Sequence, residues 1–515
     1  MGIKRYYSIA DNTITNAFDL SLKNRGTGSN MGVSDILEVF SIYGQETTSS
    51  TELSRVLIKF PVTGSSNSIE ADRTSGDIPA SGSVSFYLKL HNARHSEQLP
   101  KNCTMNVLAV SQSWQEGHGL DMESYTDKTK DKVQGSNWMN RNSVPLATWK
   151  KIGGDYHTAS SNSEVMYTVD FPNGDEDLEL DVTQLVEEWI LGNVGGATEI
   201  LHNYGFGIFL TSSDEAYYSS STGADEAEVL HNTAGQQKSF YTKRFFARST
   251  EFFFKQPSLE ARWDSRTSDD RGGFYASSSL APADDNNNNL YLYNYIRGTL
   301  KDIPGDSQNS ETITVSLYLS DANKPLGSAL ATATASKVST GIYKAQVAVD
   351  TTASFLHDVW SGSVGGVYKT GSIDVKSFND SSALFANDYN QFTTKITNLK
   401  DTYSNRENAR FRVFTRPRNY TPSVYTVATA EAQNTVIPSA SFEVVRIVDN
   451  SVVIENSTGS ADFHTYLSYD KSGSYFDLDM SLLEPGYMYG VKLSFYDSDG
   501  WRAQEEIHKF RVEKN

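Results

Sequence analysis

Apolar and polar residues alternate with a period of two along much of the chain, which is typical of β-strands that bury one face. The clearest cases are segments 83–90, 313–319, 343–349 and 487–495, where every second residue is apolar. Strands with one apolar face pair into antiparallel sheets, and two such sheets can bury those faces against each other. The pattern therefore predicts an all-β protein of stacked two-layer sheets.

One segment of the N-terminal half, residues 181–192, has the periodicity of a helix instead. Its apolar residues recur at helical spacing and form one stripe: Val182, Leu185, Val186, Trp189 and Ile190. Asp181 can accept hydrogen bonds from the first turn, with Gln184 as its capping-box partner, and Gly192 can end the helix in the left-handed conformation. We expect this short helix to close one end of a sandwich, with Trp189 in the core.

Polar stretches divide the chain into domains. Segments 264–273 and 283–289 are almost free of large apolar residues, and Arg416–Pro422 interrupts the later strands. Segment 61–82 is a long polar connection, and residues 114–163 and 212–238 are insertions of weak periodicity. We predict a jelly-roll domain at 1–265, a polar linker at 266–289, an immunoglobulin-like β-sandwich at 290–415 and a C-terminal β-sandwich at 416–515.

Composition narrows the classes of protein that the chain can belong to. It has 515 residues, a net charge of −18 and a pI of about 5.0, which argues against coating nucleic acid or binding an anionic membrane. No segment approaches the roughly 18–20 apolar residues that span a bilayer, and the start does not resemble a secretory signal. Cys103 is the single cysteine, so we expect no internal disulfide and a small buried side chain. These features are ordinary for a protein folded in a bacterial cytoplasm.

Several short motifs follow one another in the first 265 residues. They are Asp11-Asn-Thr-Ile14, Ser54-Arg-Val-Leu-Ile-Lys-Phe60, Ser113-Trp-Gln-Glu-Gly117, the helix with its Trp189, Asn203-Tyr-Gly-Phe206, Phe240-Tyr241, Arg248-Ser-Thr-Glu251, and Pro257 with Leu259 and Trp263. In this order they resemble the jelly-roll module called DNRLRE or disaggregatase-related, which is found in secreted carbohydrate-binding proteins. The resemblance implies a two-sheet sandwich more firmly than it implies a ligand.

Residues 290–515 carry a second set of motifs. They are Asn398-Leu-Lys-Asp-Thr-Tyr403, Arg410-Phe-Arg-Val-Phe414, Arg416-Pro-Arg418, Arg446-Ile-Val-Asp-Asn450, Tyr466-Leu-Ser-Tyr-Asp470 and Gly473-Ser-Tyr-Phe476. This part of the chain resembles virion structural proteins of large contractile-tailed phages. The resemblance implies a structural role in a phage particle, and it contains no motif that belongs to one part of the particle.

Four groups of residues in the sequence are candidate metal ligands. His91 and His95 have a spacing that suits a metal only on a helix, and the preceding strand favours a loop. Asp497-Ser-Asp-Gly500 offers oxygen donors, but a hairpin turn explains it better. The pairs Asp269-Asp270 and Asp284-Asp285 are typical of solvated linker. With no nucleophile elbow, phosphate-binding loop or zinc signature in the sequence, we predict no enzymatic activity, no cofactor and no metal.

Three tryptophans in the first insertion, Trp114, Trp138 and Trp149, are candidate contacts for a glycan or a protein partner, because aromatic rings stack on apolar sugar faces. The alternative is that they hold the long loops against the sandwich. Sequence spacing does not decide between these two roles.

The patterns and resemblances together predict a non-enzymatic structural component of a tailed-phage particle: a neck, tail or capsid-exterior protein acting through protein–protein contacts. Its expected partners are other virion proteins and further copies of itself in a symmetric multicopy assembly, with no nucleic acid and no membrane. It would reside in the virion after assembly in the host cytoplasm. The alternative is a glycan-binding adhesin or host-attachment protein that contacts a host surface glycan. A polysaccharide-degrading enzyme is a third hypothesis.

Overall fold

The chain folds into two compact units, Gly2–Trp263 and Asp264–Asn515, in which strands make up most of the regular structure. The computed structural model describes residues 2–18, 22–43, 51–95, 99–120, 135–158, 165–192, 201–219, 228–304, 312–319, 327–362, 366–376, 392–418, 424, 434–459, 463–497 and 500–514. The predicted all-β fold class is confirmed, because the named elements of the described ranges are nearly all strands, with two short α-helices, α1 and α2.

The N-terminal unit has thirteen strands and two helices in its described part. Their bounds are β1 Ile3–Tyr7, β2 Ala10–Thr15, β3 Ile36–Tyr43, β4 Thr51–Lys59, α1 Ile69–Ser75, β5 Ser85–Leu90, β6 Cys103–Ala109, β7 Asn140–Ser143, β8 Leu146–Thr148, β9 Met166–Phe171, β10 Leu178–Asp181, α2 Thr183–Leu191, β11 Phe206–Leu210, β12 Tyr241–Phe246 and β13 Ser258–Arg262. A 3-10 turn at Phe253–Lys255 precedes β13.

Eight of these strands have the nested pairing of a jelly roll. β1 lies beside β13, β4 beside β11, β5 beside β10 and β6 beside β9, all antiparallel. One sheet has the order β1-β13-β5-β10, and the other has the order β12-β3-β4-β11-β6-β9, with β2 paired to β4. First pairing with last, and second with next to last, is the folded-over double hairpin of this architecture, so the predicted jelly roll is confirmed.

The core lies between the two sheets and is filled by the alternating residues that the sequence indicated. Phe86, Leu88 and Leu90 of β5 face Ile208 and other apolar residues of the second sheet. The predicted helix forms as α2, and Gly192 ends it with a φ of 70° and a hydrogen bond from its N–H to the carbonyl of Glu188. Trp189 is buried and packs edge-on against Phe206, with ring centroids 5.0 Å apart.

A second helix, α1, lies inside the segment that the sequence predicted to be a long polar connection. Its N-cap is Ser68, whose side chain accepts a hydrogen bond from Ala71 N, and Gly76 ends it with a φ of 84°. Ile69 is buried in the core. The prediction of one helix was therefore wrong, because a seven-residue helix with one core residue shows no apolar stripe.

The C-terminal unit contains two β-structures. The first has strands β14 Asn288–Tyr293, β15 Tyr295–Ile296, β16 Thr299–Leu300, β17 Ile313–Tyr318, β18 Ala331–Ser339, β19 Ile342–Val347, β20 Phe355–Gly362 and β21 Val367–Asp374. Six of them form a curled sheet of order β14-β19-β18-β17-β20-β21. The first half of β18 pairs with β17 and the second half with β19, so the sheet folds around its own core, which contains Val315, Ala345 and Trp360.

The second β-structure is a two-sheet sandwich. Its strands are β22 Phe392–Ile396, β23 Thr402–Ser404, β24 Asn408–Pro417, β25 Ala440–Arg446, β26 Ser451–Ile454, β27 Ser468–Asp470, β28 Gly473–Asp479, β29 Met488–Asp497 and β30 Gly500–Glu513. The sheet orders are β22-β24-β28-β27 and β23-β30-β29-β25-β26. Aromatic rings fill the space between them: Phe476 stacks on Phe411 at 5.0 Å and on Phe442 at 4.2 Å.

Strand pairing changes two of the predicted domain boundaries. The boundary at 415/416 would cut through β24, which pairs with β22 and β28, so the C-terminal sandwich already includes residues from 392 onward. The predicted linker at 266–289 is folded: Asp270 accepts hydrogen bonds from Tyr469 Oη at 2.8 Å and Asn289 N at 2.7 Å. Polar composition gave no sign that this segment pairs with distant strands.

A buried ion pair fastens that segment to the curled sheet. The Asp358 side chain on β20 is fully buried, and its two carboxylate oxygens accept hydrogen bonds from Arg271 at 2.8 and 2.6 Å. Trp360 Nε1 donates a third, at 2.8 Å. Burial alone would raise the pKa of Asp358, but the hydrogen bonds and charge of Arg271 hold it below its usual range.

We expect Arg271→Met to lower the free energy of unfolding of the C-terminal unit by about 3–5 kcal/mol, because it leaves a buried carboxylate without its cation. Lys337→Met is the matched control: it breaks the exposed pair with Asp302 and should cost less than about 1 kcal/mol. Urea unfolding followed by circular dichroism and tryptophan fluorescence measures both. Equal losses for the two variants would contradict this interpretation.

Candidate functional site

The larger sheet of the N-terminal unit is covered on its outer face by the two insertions that the sequence indicated. A second apolar cluster lies there, separate from the sandwich core, and consists of Ile14, Leu53, Leu57, Val110, Trp138, Trp149 and Leu230. Gly207 of β11 lies between Leu57 and Leu108 in register, and a Cβ on it would come within 2.0 Å of the Tyr156 ring. The insertions thus form a third layer that needs a glycine beneath it.

The three candidate tryptophans belong to this layer. Trp138 is 0% exposed and Trp149 is 5% exposed, while Trp114 is half-buried against the same cluster. Each indole N–H donates to a backbone carbonyl: Trp114 to Tyr204 at 2.8 Å, Trp138 to Glu228 at 2.9 Å, and Trp149 to Asn137 at 2.9 Å. The rings of Trp138 and Trp149 offer no face to a ligand in this structure, which favours the alternative that they hold the loops against the sandwich.

Arg55 is a buried charge within the third layer. Its guanidinium lies 4.2 Å from the centroid of the Phe209 ring, and its nitrogens lie 3.2 Å from the carbonyl oxygen of Gly153 and 3.4 Å from Glu215 Oε1. Burial raises the pKa of Glu215, and the charge of Arg55 opposes this. The pair joins β4 to both insertions, so it holds the layer in place.

A polar cluster brings together three of the motifs that carry the DNRLRE resemblance. Asp11 Oδ2 accepts a hydrogen bond from Arg248 N at 2.6 Å. Glu116 Oε1 accepts from Asp11 N at 3.1 Å and from Arg248 Nη2 at 2.7 Å. A Cβ on the neighbouring Gly117 would lie 2.2 Å from Asn30 Oδ1, so a larger residue there would displace the Asn30 side chain. The motif residues therefore tie the loops at this site together.

Asp11 is the perturbed group of that cluster. Its side chain is buried, and its second oxygen, Oδ1, has no hydrogen-bond partner within the described structure. Burial raises the pKa of Asp11 to about 6, against the opposing hydrogen bond and charge of Arg248. The hydrogen bonds of the cluster hold the loops together, and burial makes the carboxyl group of Asp11 harder to ionise.

An exposed aromatic surface was not identified from the sequence. We define it as Tyr7, Phe246, Phe252, Phe253 and Phe254. Their rings meet at centroid distances of 6.4 Å for Tyr7 and Phe253, 5.4 Å for Phe246 and Phe252, and 5.1 Å for Phe253 and Phe254. Phe252 is 53% exposed. Three consecutive phenylalanines directly before the strand at Ser258 are the sequence signal that could have located it, because an alternating strand would bury only every second ring.

The two histidines and the pair Asp269-Asp270 considered from the sequence have other partners. His91 Nδ1 contacts Asp177 Oδ2 at 2.8 Å, and His95 Nε2 contacts Asn92 Oδ1 at 3.2 Å. Asp269 and Asp270 cap and fasten the folded segment described above. Positions 498 and 499 of the Asp497–Gly500 motif lie outside the described residues. Within the described ranges, no group of three or more His, Cys, Asp and Glu side chains could hold a metal ion.

Comparisons with known proteins give no family. No protein-family model and no curated protein matches the chain. Among solved structures, it is similar to the fibronectin(III)-like modules of Clostridium thermocellum CbhA, with 14% identity over 49% of this chain and 93% of that one and a TM-score of 0.14. It is also similar to the Yersinia pseudotuberculosis adhesin InvE, with 11% identity over 46% and 56% and a TM-score of 0.14. Scores this low carry no argument about function.

The described part of the chain contains no helix long and apolar enough to cross a membrane. Cys103 is buried, as the sequence predicted. Burial raises the pKa of its thiol to about 11, so the thiol stays protonated and unreactive near neutral pH.

The raised pKa of Asp11 gives a prediction for stability against pH. The folded state holds the proton up to about pH 6, whereas the ordinary value is 3.8, so ionisation costs stability as pH rises through this window. Between pH 3.8 and about pH 6, the free energy of unfolding of the wild-type chain should fall by up to about 1.4 kcal/mol per pH unit relative to that of Asp11→Asn. Chemical unfolding of both at several pH values measures this.

The exposed residue Asp35 provides the control, since Asp35→Asn removes a neighbouring carboxylate that is open to solvent. As a substitution of an exposed side chain, it should change the free energy of unfolding by less than about 0.5 kcal/mol. If the stability of Asp11→Asn changed with pH in the same way as that of the wild type, burial would not raise the pKa of Asp11.

Proposed function

We propose that this chain is a non-enzymatic structural component of a tailed-phage particle and acts through protein–protein contacts. The observation that carries the proposal is the aromatic surface of the N-terminal unit, where Phe252 is 53% exposed and the other four rings are half-buried. The resemblance of residues 290–515 to virion proteins supports it. Aromatic residues are enriched at the centres of protein interfaces, where they supply large contact areas.

The local structure favours this surface as a contact site. Ser8 N donates to the carbonyl of Pro257 at 3.1 Å, and Lys255 N donates to the carbonyl of Phe252 at 2.9 Å, so the backbone beneath the rings is hydrogen-bonded. Each ring also packs on another ring, which restricts its rotamers before any partner binds. A pre-ordered surface loses less conformational entropy on binding, and repeated copies in a symmetric particle would strengthen a weak contact.

The resemblance of residues 1–265 to the DNRLRE module supports the alternative that the protein binds a glycan. Two of its three candidate rings, Trp138 and Trp149, are buried in the third layer. Trp114 is half-buried and donates to a backbone carbonyl. We therefore propose protein contact as the leading function, with the neighbouring particle proteins or further copies of this chain as partners.

Mass spectrometry of purified particles tests the particle assignment. We expect the chain at a fixed ratio to head or tail proteins, because a structural component occupies symmetry-defined positions. Absence from washed particles would overturn the proposal. Binding of the isolated chain to glycan arrays, lost in Trp114→Ala, would support the adhesin instead.

The aromatic surface is tested by Phe252→Asp, supplied in place of the wild-type chain during particle assembly. A charge at the centre of an apolar contact should weaken it by about 2 kcal/mol or more, which is roughly thirtyfold in affinity. We expect the variant chain to be depleted from particles while its circular dichroism spectrum stays that of the folded wild type.

Phe240→Asp is the matched control. Phe240 is 69% exposed and lies just before β12, whereas the aromatic surface includes Phe246 at the other end of that strand. This variant should be incorporated like the wild type. Equal incorporation of the Phe252 and Phe240 variants would show that the aromatic surface is not a contact.

A further inference from the structure

The hairpin formed by β7 and β8 ends in three consecutive exposed apolar residues. Val144 is 70% exposed and Leu146 is 72% exposed, and Pro145 between them is also exposed. Single apolar residues are common on protein surfaces, whereas a group of them at one turn is typical of a contact site. We define residues 144–146 as the hairpin tip.

Hydrogen bonds fix the base of this hairpin to the rest of the third layer. Arg141 Nη1 donates to the carbonyl oxygen and to the Oγ of Ser113, both at 3.0 Å. Gln115 N donates to the carbonyl of Arg141 at 3.0 Å, and Trp149 N donates to the carbonyl of Met139 at 3.1 Å. Because the base is already ordered, the tip would lose little conformational entropy on binding.

The hairpin is basic, although the whole chain has a net charge of −18. Residues 135–154 contain Arg141, Lys150 and Lys151 and no acidic residue. Both lysines are exposed. The next acid, Asp155, is buried, and its carboxylate accepts hydrogen bonds from the backbone N–H groups of the two lysines at 2.8 and 2.9 Å. The tip is thus an apolar group with basic side chains beside it.

Acidic residues lie beside the aromatic surface. Glu251 is exposed and directly precedes Phe252. Lys255, at the end of the 3-10 turn before β13, interacts electrostatically with Asp177. Asp177 belongs to segment 175–181, which contains five acidic residues and no basic residue. The aromatic surface therefore has a rim of mainly negative charge.

We propose that the hairpin tip of one copy of this chain docks on the aromatic surface of another copy. The inference rests on the proposed function, because it supplies the partner for the contact surface described there. Both surfaces are in the N-terminal unit, so every copy carries both. Two tips or two acidic rims would repel each other, whereas the basic side chains beside a tip attract an acidic rim. Charge thus selects this pairing, and the apolar tip covers the rings.

The contact is small, and repetition strengthens it. One tip brings only three apolar side chains to the interface, so a single contact is weak. Copies that each carry a tip and an aromatic surface can repeat the contact in a closed dimer, a ring or a filament. Repeated contacts gain strength through their high effective concentration.

Self-association of the full chain tests the proposal. We expect reversible association of the wild type in analytical ultracentrifugation. Leu146→Asp and Phe252→Asp should each weaken it roughly thirtyfold, because each puts a charge into the centre of the apolar contact. Leu191→Asp is the matched control, at a residue 69% exposed at the end of α2, and should associate like the wild type. A wild type that stays monomeric at its highest soluble concentration overturns the proposal.

Mixing the two variants identifies the partner surfaces. Leu146→Asp retains an intact aromatic surface and Phe252→Asp retains an intact tip, so the mixture should form a contact that neither folded variant forms alone. Sedimentation velocity with one variant fluorescently labelled measures this. If the wild type associates and the mixture does not, the tip and the aromatic surface do not contact each other.

The charges are tested without altering the apolar residues. Lys150→Glu combined with Lys151→Glu should weaken association and reduce its dependence on salt. A partner carrying Glu251→Lys should bind this variant better than the wild-type partner does. Association that is unchanged by these substitutions contradicts the proposed pairing.

Failure of this inference can be distinguished from failure of the proposed function. If Phe252→Asp is depleted from particles while the purified wild type stays monomeric, the aromatic surface binds a neighbouring particle protein and its pairing with the tip is wrong. If the chain is absent from particles but associates through its tip, the pairing stands and the proposed function is wrong.

Discussion

The larger sheet of the jelly roll must bury both of its faces, and the organisation of the N-terminal unit depends on this constraint. Val56 and Ile58 of β4 point into the sandwich core, while Leu53 and Leu57 of the same strand point outward into the second cluster. A solvated outer face would leave these side chains in water at a cost of about 1.5–3 kcal/mol each. The two insertions remove that cost by forming a third layer.

Folding of this unit also takes charged groups of both sheets out of water, and two of these groups are held by partners far away in the sequence. Arg55 contacts Glu215, and Glu260 on β13 contacts Arg5 on β1 at 2.6 Å. Without such partners, buried charges of this kind would be strongly destabilising. The buried Lys243 on β12 is held differently, because its amine donates hydrogen bonds to neutral oxygens: the carbonyls of Gly174 and Glu176 and Oδ1 of Asn92.

The periodicity of the sequence was sufficient to predict much of the fold. Strands such as β5, β17 and β29 follow the predicted alternation, and β25 and β26 pair as a hairpin in whose turn Asn450 has a φ of 54°. Alternation describes one strand at a time, so it could not show that β24 pairs with β28 across the predicted boundary. For the same reason, it could not reveal that Asp11, Glu116 and Arg248 meet, although motif order indicated that their segments belong to one domain.

The same constraint explains why the candidate contact surface differs from the one that the sequence suggested. A ring in an insertion that covers an apolar outer face is drawn into that face, as Trp138 is, because burial there removes apolar area from both surfaces at once. The turn carrying Phe252 follows β12, and Phe252 stays 53% exposed although its ring packs on that of Phe246. Aromatic content alone therefore does not identify a contact surface. What matters is whether the protein itself already supplies a partner for the ring.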